Sequence, residues 1–106
     1  MLLLNAFSLN MVSGKSGNLW FQEIGVVQVR EELAPKLKSA VGHADTAAVF
    51  SDVLGVAVAC DRRTVSIQPG QKVLVGQYSG PRLPEGATTL PEGATIKWLL
   101  VGYSEE

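Results

Sequence analysis

A chain of 106 residues with a summed charge of −1 has room for one packed domain, so multi-domain readings fall away. With 46% apolar and 18% charged residues it carries enough hydrophobic material to fold, which excludes a disordered acidic or basic tail. The same balance excludes a protein that grips long nucleic acid across its whole surface, because that binding rests on many Lys and Arg displacing counterions. Any anionic ligand has to be held locally.

The chain opens on Leu2-Leu3-Leu4, a continuous apolar run stopped by Asn5, which is the pattern of a strand buried on both faces. The run is too short, and lacks the basic start, for a signal peptide or a membrane span, so no membrane partner is expected. The single Cys60 forms no intramolecular disulfide, and a reducing cytoplasm is the expected compartment. From Ser8 to Asn18 the sequence turns polar and glycine-rich and reads as a mobile loop. Its Ser13-Gly14-Lys15-Ser16 invites comparison with a nucleotide-binding P-loop, but the glycine required five positions before Gly14 is Leu9, and that reading fails.

Leu19 to Ile24 resumes a strand. Val26, Val29, Leu33 and Leu37 then recur at helical spacing up to Ser39, with Glu32 four residues before Lys36. Pro35 removes a backbone donor within this stretch and divides it into a helix and a following short turn. A second helix runs from Ala44 to Leu54, with Ala47, Phe50 and Leu54 on one face, starting at His43 and ended by Gly55 as a left-handed cap. Val65 to Ile67, Lys72 to Tyr78 and Ile96 to Val101 are β-branched or aromatic runs that complete about five strands. In the last long loop Leu-Pro-Glu-Gly-Ala-Thr occurs twice, from Leu83 and again from Leu90; two short copies do not make a solenoid. The expected fold is α/β: a single small domain over residues 1–106, a mixed sheet of about five strands packed with two or three helices.

His43 is the only histidine and so the one side chain of a type that exchanges a proton readily near neutral pH. Standing after Gly42, where a helix begins, it would lie among backbone N–H groups that attract anions; the plainer alternative is a capping or surface histidine. Arg82 and Glu85 lie three residues apart in a loop stiffened by Pro81 and Pro84. They read either as a surface ion pair of little energetic weight or as a phosphate-holding guanidinium with a carboxylate that orients it or steers a hydroxyl. Arg62 and Arg63, after Cys60-Asp61, read most simply as a charged turn, with contact to an anion as the lesser reading. No cluster of His, Cys or carboxylates frames a metal site, and no cofactor is expected.

Asn5-Ala6-Phe7-Ser8-Leu9-Asn10-Met11, Gly42-His43-Ala44-Asp45-Thr46-Ala47 leading to Leu54-Gly55, and Arg82-Leu83-Pro84-Glu85-Gly86 together resemble the viral ring nuclease family, a type III anti-CRISPR, over essentially the whole chain. That family degrades the second messenger cyclic tetraadenylate and so silences type III CRISPR effectors. The resemblance implies that His43 is the catalytic histidine and that Arg82 and Glu85 match the family's arginine and glutamate. It also implies that Asn5, Ser8, Asn10 and Gly42 belong to the ligand pocket and that Lys15 belongs to a region closing over it. Glu92 sits in the second copy of the repeated phrase, but three positions before it stands Thr89 and not an arginine, so Glu85 is the better match. The family's chemistry needs no metal, and its members are homodimers with the ligand on the two-fold axis. A second reading, from another class, is a sponge that binds the cyclic nucleotide and leaves it uncut.

Overall fold

The computed structural model describes residues 1–105. Five strands form one mixed sheet: β1 (Leu2–Leu4), β2 (Asn18–Ile24), β3 (Lys38–Ser39), β4 (Lys72–Ser79) and β5 (Thr95–Ser104), in the order β2-β5-β4-β1-β3. β1 runs parallel to both β3 and β4, while β5 is antiparallel to β4 and β2. The expected α/β architecture is therefore present.

The triple leucine serves both faces of the sheet, as its unbroken hydrophobicity required. Leu3 enters a core with Phe50, Leu54, Leu74 and Trp98 under the helices, whereas Leu4 joins Ile67, Val73, Val75 and Tyr103 on the other face. That second core is covered by Phe7, Met11 and Val12 from the segment after β1. The segment is accordingly more tightly held than its composition predicted. Leu9–Met11 forms a 3-10 turn capped by the Ser8 hydroxyl, which accepts from the Asn10 amide at 3.3 Å. Val12 bridges Ile67, and the Tyr103 hydroxyl donates to the Ser16 carbonyl at 3.3 Å.

Two helical segments cover the first face. α1 (Val26–Gln28) continues into a wide turn over Val29–Leu33 and a 3-10 turn over Ala34–Lys36. Pro35 explains the widening: it has no N–H to give an ordinary helix, and the Ala34 amide instead reaches the carbonyl of Val29. The helical stretch expected to run to Ser39 ends at Lys36, and Lys38–Ser39 is β3, held by the Lys38 amide on the Met1 carbonyl and the Ala40 amide on the Leu3 carbonyl, both 2.9 Å. Conversely, Val65 to Ile67 is not a strand; Ile67 makes only the isolated bridge to Val12.

α2 (Ala44–Leu54) follows the sequence reading in both caps. His43 precedes it in extended conformation, and Gly55 closes it at φ 71°, a left-handed value that glycine adopts without strain. Ala47, Val49, Phe50 and Leu54 are buried. Phe50 meets Trp98 edge-on at 5.0 Å between ring centroids, directly over Gly76, the cross-strand partner of Trp98. The two rings thereby fix the height of α2 above the sheet and, with it, the position of His43. Among the described residues no helix is long and apolar enough to cross a membrane.

Candidate active site

β1 and β4 run parallel, and their C-terminal ends open on the same side of the molecule as the start of α2, where parallel α/β sheets commonly bind ligands. A cleft of about 940 Å³ lies there, lined by His43, Asp45 and Thr46 from α2 and its cap, by Tyr78 and Gly80 from the end of β4, and by Arg82 to Glu85. His43 is exposed and makes no side-chain capping bond, so its imidazole is available to a ligand. The first-turn amides of α2 lack intrahelical acceptors and add positive potential at the same spot.

The loop that brings Arg82 and Glu85 to His43 is built by its sequence. The Tyr78 hydroxyl donates to the Pro81 carbonyl. Pro84 to Ala87 then forms a turn, closed by the Ala87 amide on the Pro84 carbonyl at 3.0 Å, with Gly86 at φ 81°, the geometry of a type II turn whose third position calls for glycine. The second copy of the repeat makes the same turn: the Ala94 amide bonds the Pro91 carbonyl at 3.1 Å and Gly93 also stands at φ 81°. The copies have different surroundings. Glu85 lines the cleft, while the second turn seats the buried Ala94 against Gly80, where any β-carbon would lie 2.8 Å from Ala94.

Of the residues singled out in the sequence, His43, Arg82 and Glu85 come together in this cleft. Asn5 and Gly42 do not line it; they are joined to each other, the Gly42 amide donating to Asn5 Oδ1 at 3.4 Å. Asn5 borders a second cavity of about 510 Å³ on the opposite sheet face, with Phe7, Phe21, Val75, Leu99 and Val101. Ser8 caps the 3-10 turn and Asn10 lies within it, and neither lines the His43 cleft. Lys15 is not brought there within one chain: it borders a small cavity with Tyr103, eight residues along β5 from Thr95, or about 26 Å of strand. Ser13 to Gly17 therefore packs at the far end of the sheet, where a β-carbon on Gly14 would collide with the Tyr103 hydroxyl.

Asp45, Thr46 and Tyr78 belong to the cleft and were not singled out from the sequence. An aspartate in a first helical turn reads as a partner of the helix dipole, and a tyrosine in a strand reads as core. The arginine pair separates in the structure. Arg63 donates to the Ser39 carbonyl at 2.9 Å and lies 3.6 Å from Asp61, whereas the stem of Arg62 covers Gly42.

The sequence model of the STIV B116-like family matches residues 1–98. The chain belongs to the STIV B116-like family. A solved structure, that of B116 of Sulfolobus turreted icosahedral virus, is 23% identical to this STIV B116-like chain and matches it with a TM-score of 0.79, covering 95% of this chain and 97% of that one. At this identity the likeness speaks for a shared fold. No curated protein matches the chain in sequence.

Proposed function

We propose that this STIV B116-like protein is a metal-independent ring nuclease, acting in the cytoplasm on cyclic tetraadenylate and leaving linear diadenylates with 2′,3′-cyclic phosphate ends, and so switching off type III CRISPR signalling. The observation that carries the reading is the meeting of the only histidine, at the start of α2, with Arg82 and Glu85 in one cleft. In this chemistry the substrate supplies its own nucleophile. A ribose 2′-hydroxyl attacks the adjacent phosphorus in line, the P–O5′ bond breaks, and the departing 5′-oxygen takes a proton. His43 gives that proton, a contribution of about 10²- to 10⁴-fold in rate for a general acid. Arg82 and the amides of the first turn of α2 neutralise charge growing on the phosphoryl oxygens. Glu85 receives the hydroxyl proton or holds the ribose so that the in-line angle is reached.

One histidine per chain and a ligand of even-fold symmetry are met by a two-fold homodimer, in which each copy presents one His43 to one of two opposite phosphates. Two cuts then yield the two diadenylates. The exposed aromatic Phe21 (75% accessible) beside Leu19 (42%), on the sheet face that carries the second cavity, offers the apolar area on which a second copy would pack.

The deciding assay incubates the protein with cyclic tetraadenylate in EDTA and resolves the products. Linear diadenylates with cyclic phosphate termini are expected. His43→Ala should stop cutting and keep binding, because the imidazole acts mainly in the transition state; Arg82→Ala should damage both. Ligand bound yet recovered intact after long incubation at stoichiometric protein would replace the enzyme by a sponge, and absence of binding would remove both.

A further inference from the structure

We infer that Asp45 is a positioning residue that fixes Glu85 relative to His43 by anchoring the Pro84–Ala87 turn to the start of α2. The inference rests on the ring nuclease reading of the cleft. Asp45 stands in the first turn of α2, two residues after His43. Its carboxylate reaches across the cleft to accept the Gly86 amide at 3.0 Å, from a residue 41 positions away. Among the described residues, this is the one hydrogen bond that ties the loop between β4 and β5 to any element other than β4.

The bond closes a short ring. His43 is joined to Asp45 through a helical turn that cannot stretch, and Gly86 is joined to Glu85 by a single peptide unit that a type II turn holds in one orientation. With the bond made, the positions of the imidazole and of the Glu85 carboxylate are set against each other through few rotatable links. With it broken, the Glu85 turn keeps only its internal bond to Pro84 and is positioned from its distant ends, the Tyr78–Pro81 contact and the seating of Ala94 on Gly80.

The chemistry of the acceptor supports this role. An ionised carboxylate offers only acceptors and so repels phosphate oxygens; Glu85 is assigned a ribose hydroxyl, and Asp45 meets the Gly86 amide. A charged acceptor makes the stronger bond to an amide N–H, so the side chain fits an anchor better than it fits a ligand contact. Glycine at position 86 contributes as well. Its φ of 81° turns the peptide so that its N–H points away from the turn's own hydrogen bond and towards α2.

The test compares Asp45→Ala and Asp45→Asn with the wild type, measuring Gly86 amide exchange and steady-state cleavage of cyclic tetraadenylate, with circular dichroism melts to show that each variant is folded. Asp45→Ala should speed exchange at Gly86 and lower kcat by about 10- to 100-fold with little change in KM, since misplacement of a reacting group by about 1 Å has effects of that size. Asp45→Asn keeps an oxygen acceptor and should restore both the protection of Gly86 and most of kcat. Unchanged Gly86 exchange in Asp45→Ala overturns the anchor whatever the activity does. Faster exchange with unchanged kcat overturns the positioning role, and so does an Asp45→Asn variant as impaired as Asp45→Ala. If the wild-type protein binds but does not cut, the ring nuclease reading fails and the catalytic role of Asp45 fails with it, while the exchange measurement still decides the anchor.

Discussion

Gly76→Ala puts one methyl group where Phe50 and Trp98 meet over the sheet. The added carbon would stand 2.6 Å from Phe50 Cζ and 2.6 Å from Trp98 Cζ3, against an ordinary carbon–carbon contact of about 3.5–4.0 Å. Both rings therefore have to yield by about 1 Å. Neither does so freely, because Phe50 is fully buried and Trp98 is 3% accessible. Overpacking of this kind costs about 1–3 kcal/mol, offset by about 0.4–1 kcal/mol because alanine restricts the unfolded chain more than glycine does. The midpoints of the two ranges leave a net loss of about 1.3 kcal/mol, and a domain of this size should melt about 4–8 °C lower for each kcal/mol lost. Urea and thermal melts followed by circular dichroism measure this. In a Phe50→Leu background the same Gly76→Ala change should cost less, with a coupling of at least about 0.5 kcal/mol. Stability within about 0.5 kcal/mol of wild type, or an equal cost in both backgrounds, would refute the claim that the two rings set the height of α2.

The repeated turns predict an asymmetric pair: Glu85→Gln should lower the rate of ring opening by about 10²-fold, while Glu92→Gln leaves it unchanged, as read by product formation at saturating cyclic tetraadenylate. Equal effects would deny the distinction between the two copies. Phe21→Glu should shift the particle towards the mass of one chain in sedimentation velocity, with a stability change of no more than about 0.5 kcal/mol because the side chain is exposed; an unaltered dimer would move the interface elsewhere. Tyr103→Phe removes the bond to the Ser16 carbonyl and should cost about 0.5–1.5 kcal/mol in chemical denaturation, with cleavage unaffected at this far end of the sheet. A fall in cleavage at unchanged stability would bring the Lys15 segment back into the reaction.

Local chemistry made much of this arrangement legible. The triple leucine announced a strand covered on both sides, and the interval from His43 to Gly55 showed a helix with both of its ends. The proline and glycine of each repeat copy carried their turn with them. β3 was hidden because two residues, Lys38 and Ser39, have no periodicity to display and are recruited through backbone bonds to Met1 and Leu3. Val65 to Ile67 misled for the converse reason: β-branched side chains favour extended backbone, but a strand also needs a neighbour along its length, and only Ile67 finds one. The packing of Ser13 to Gly17 on Tyr103 and the reach of Asp45 to Gly86 join positions far apart in sequence, and neither partner carries a local sign of the other.

The duplicated phrase leaves the chain with a choice of length at the hairpin between β4 and β5. Excising residues 83–89 would place Leu90-Pro91-Glu92-Gly93 directly after Arg82 and regenerate the same wording, and closure entropy depends only weakly on such a change. One turn would then have two duties, meeting Asp45 and settling Ala94 beneath Gly80, which in the full-length hairpin fall to separate copies. The duplication thus divides two duties between the copies: the turn that carries Glu85 meets Asp45, while its twin seats Ala94 and holds the hairpin to the sheet.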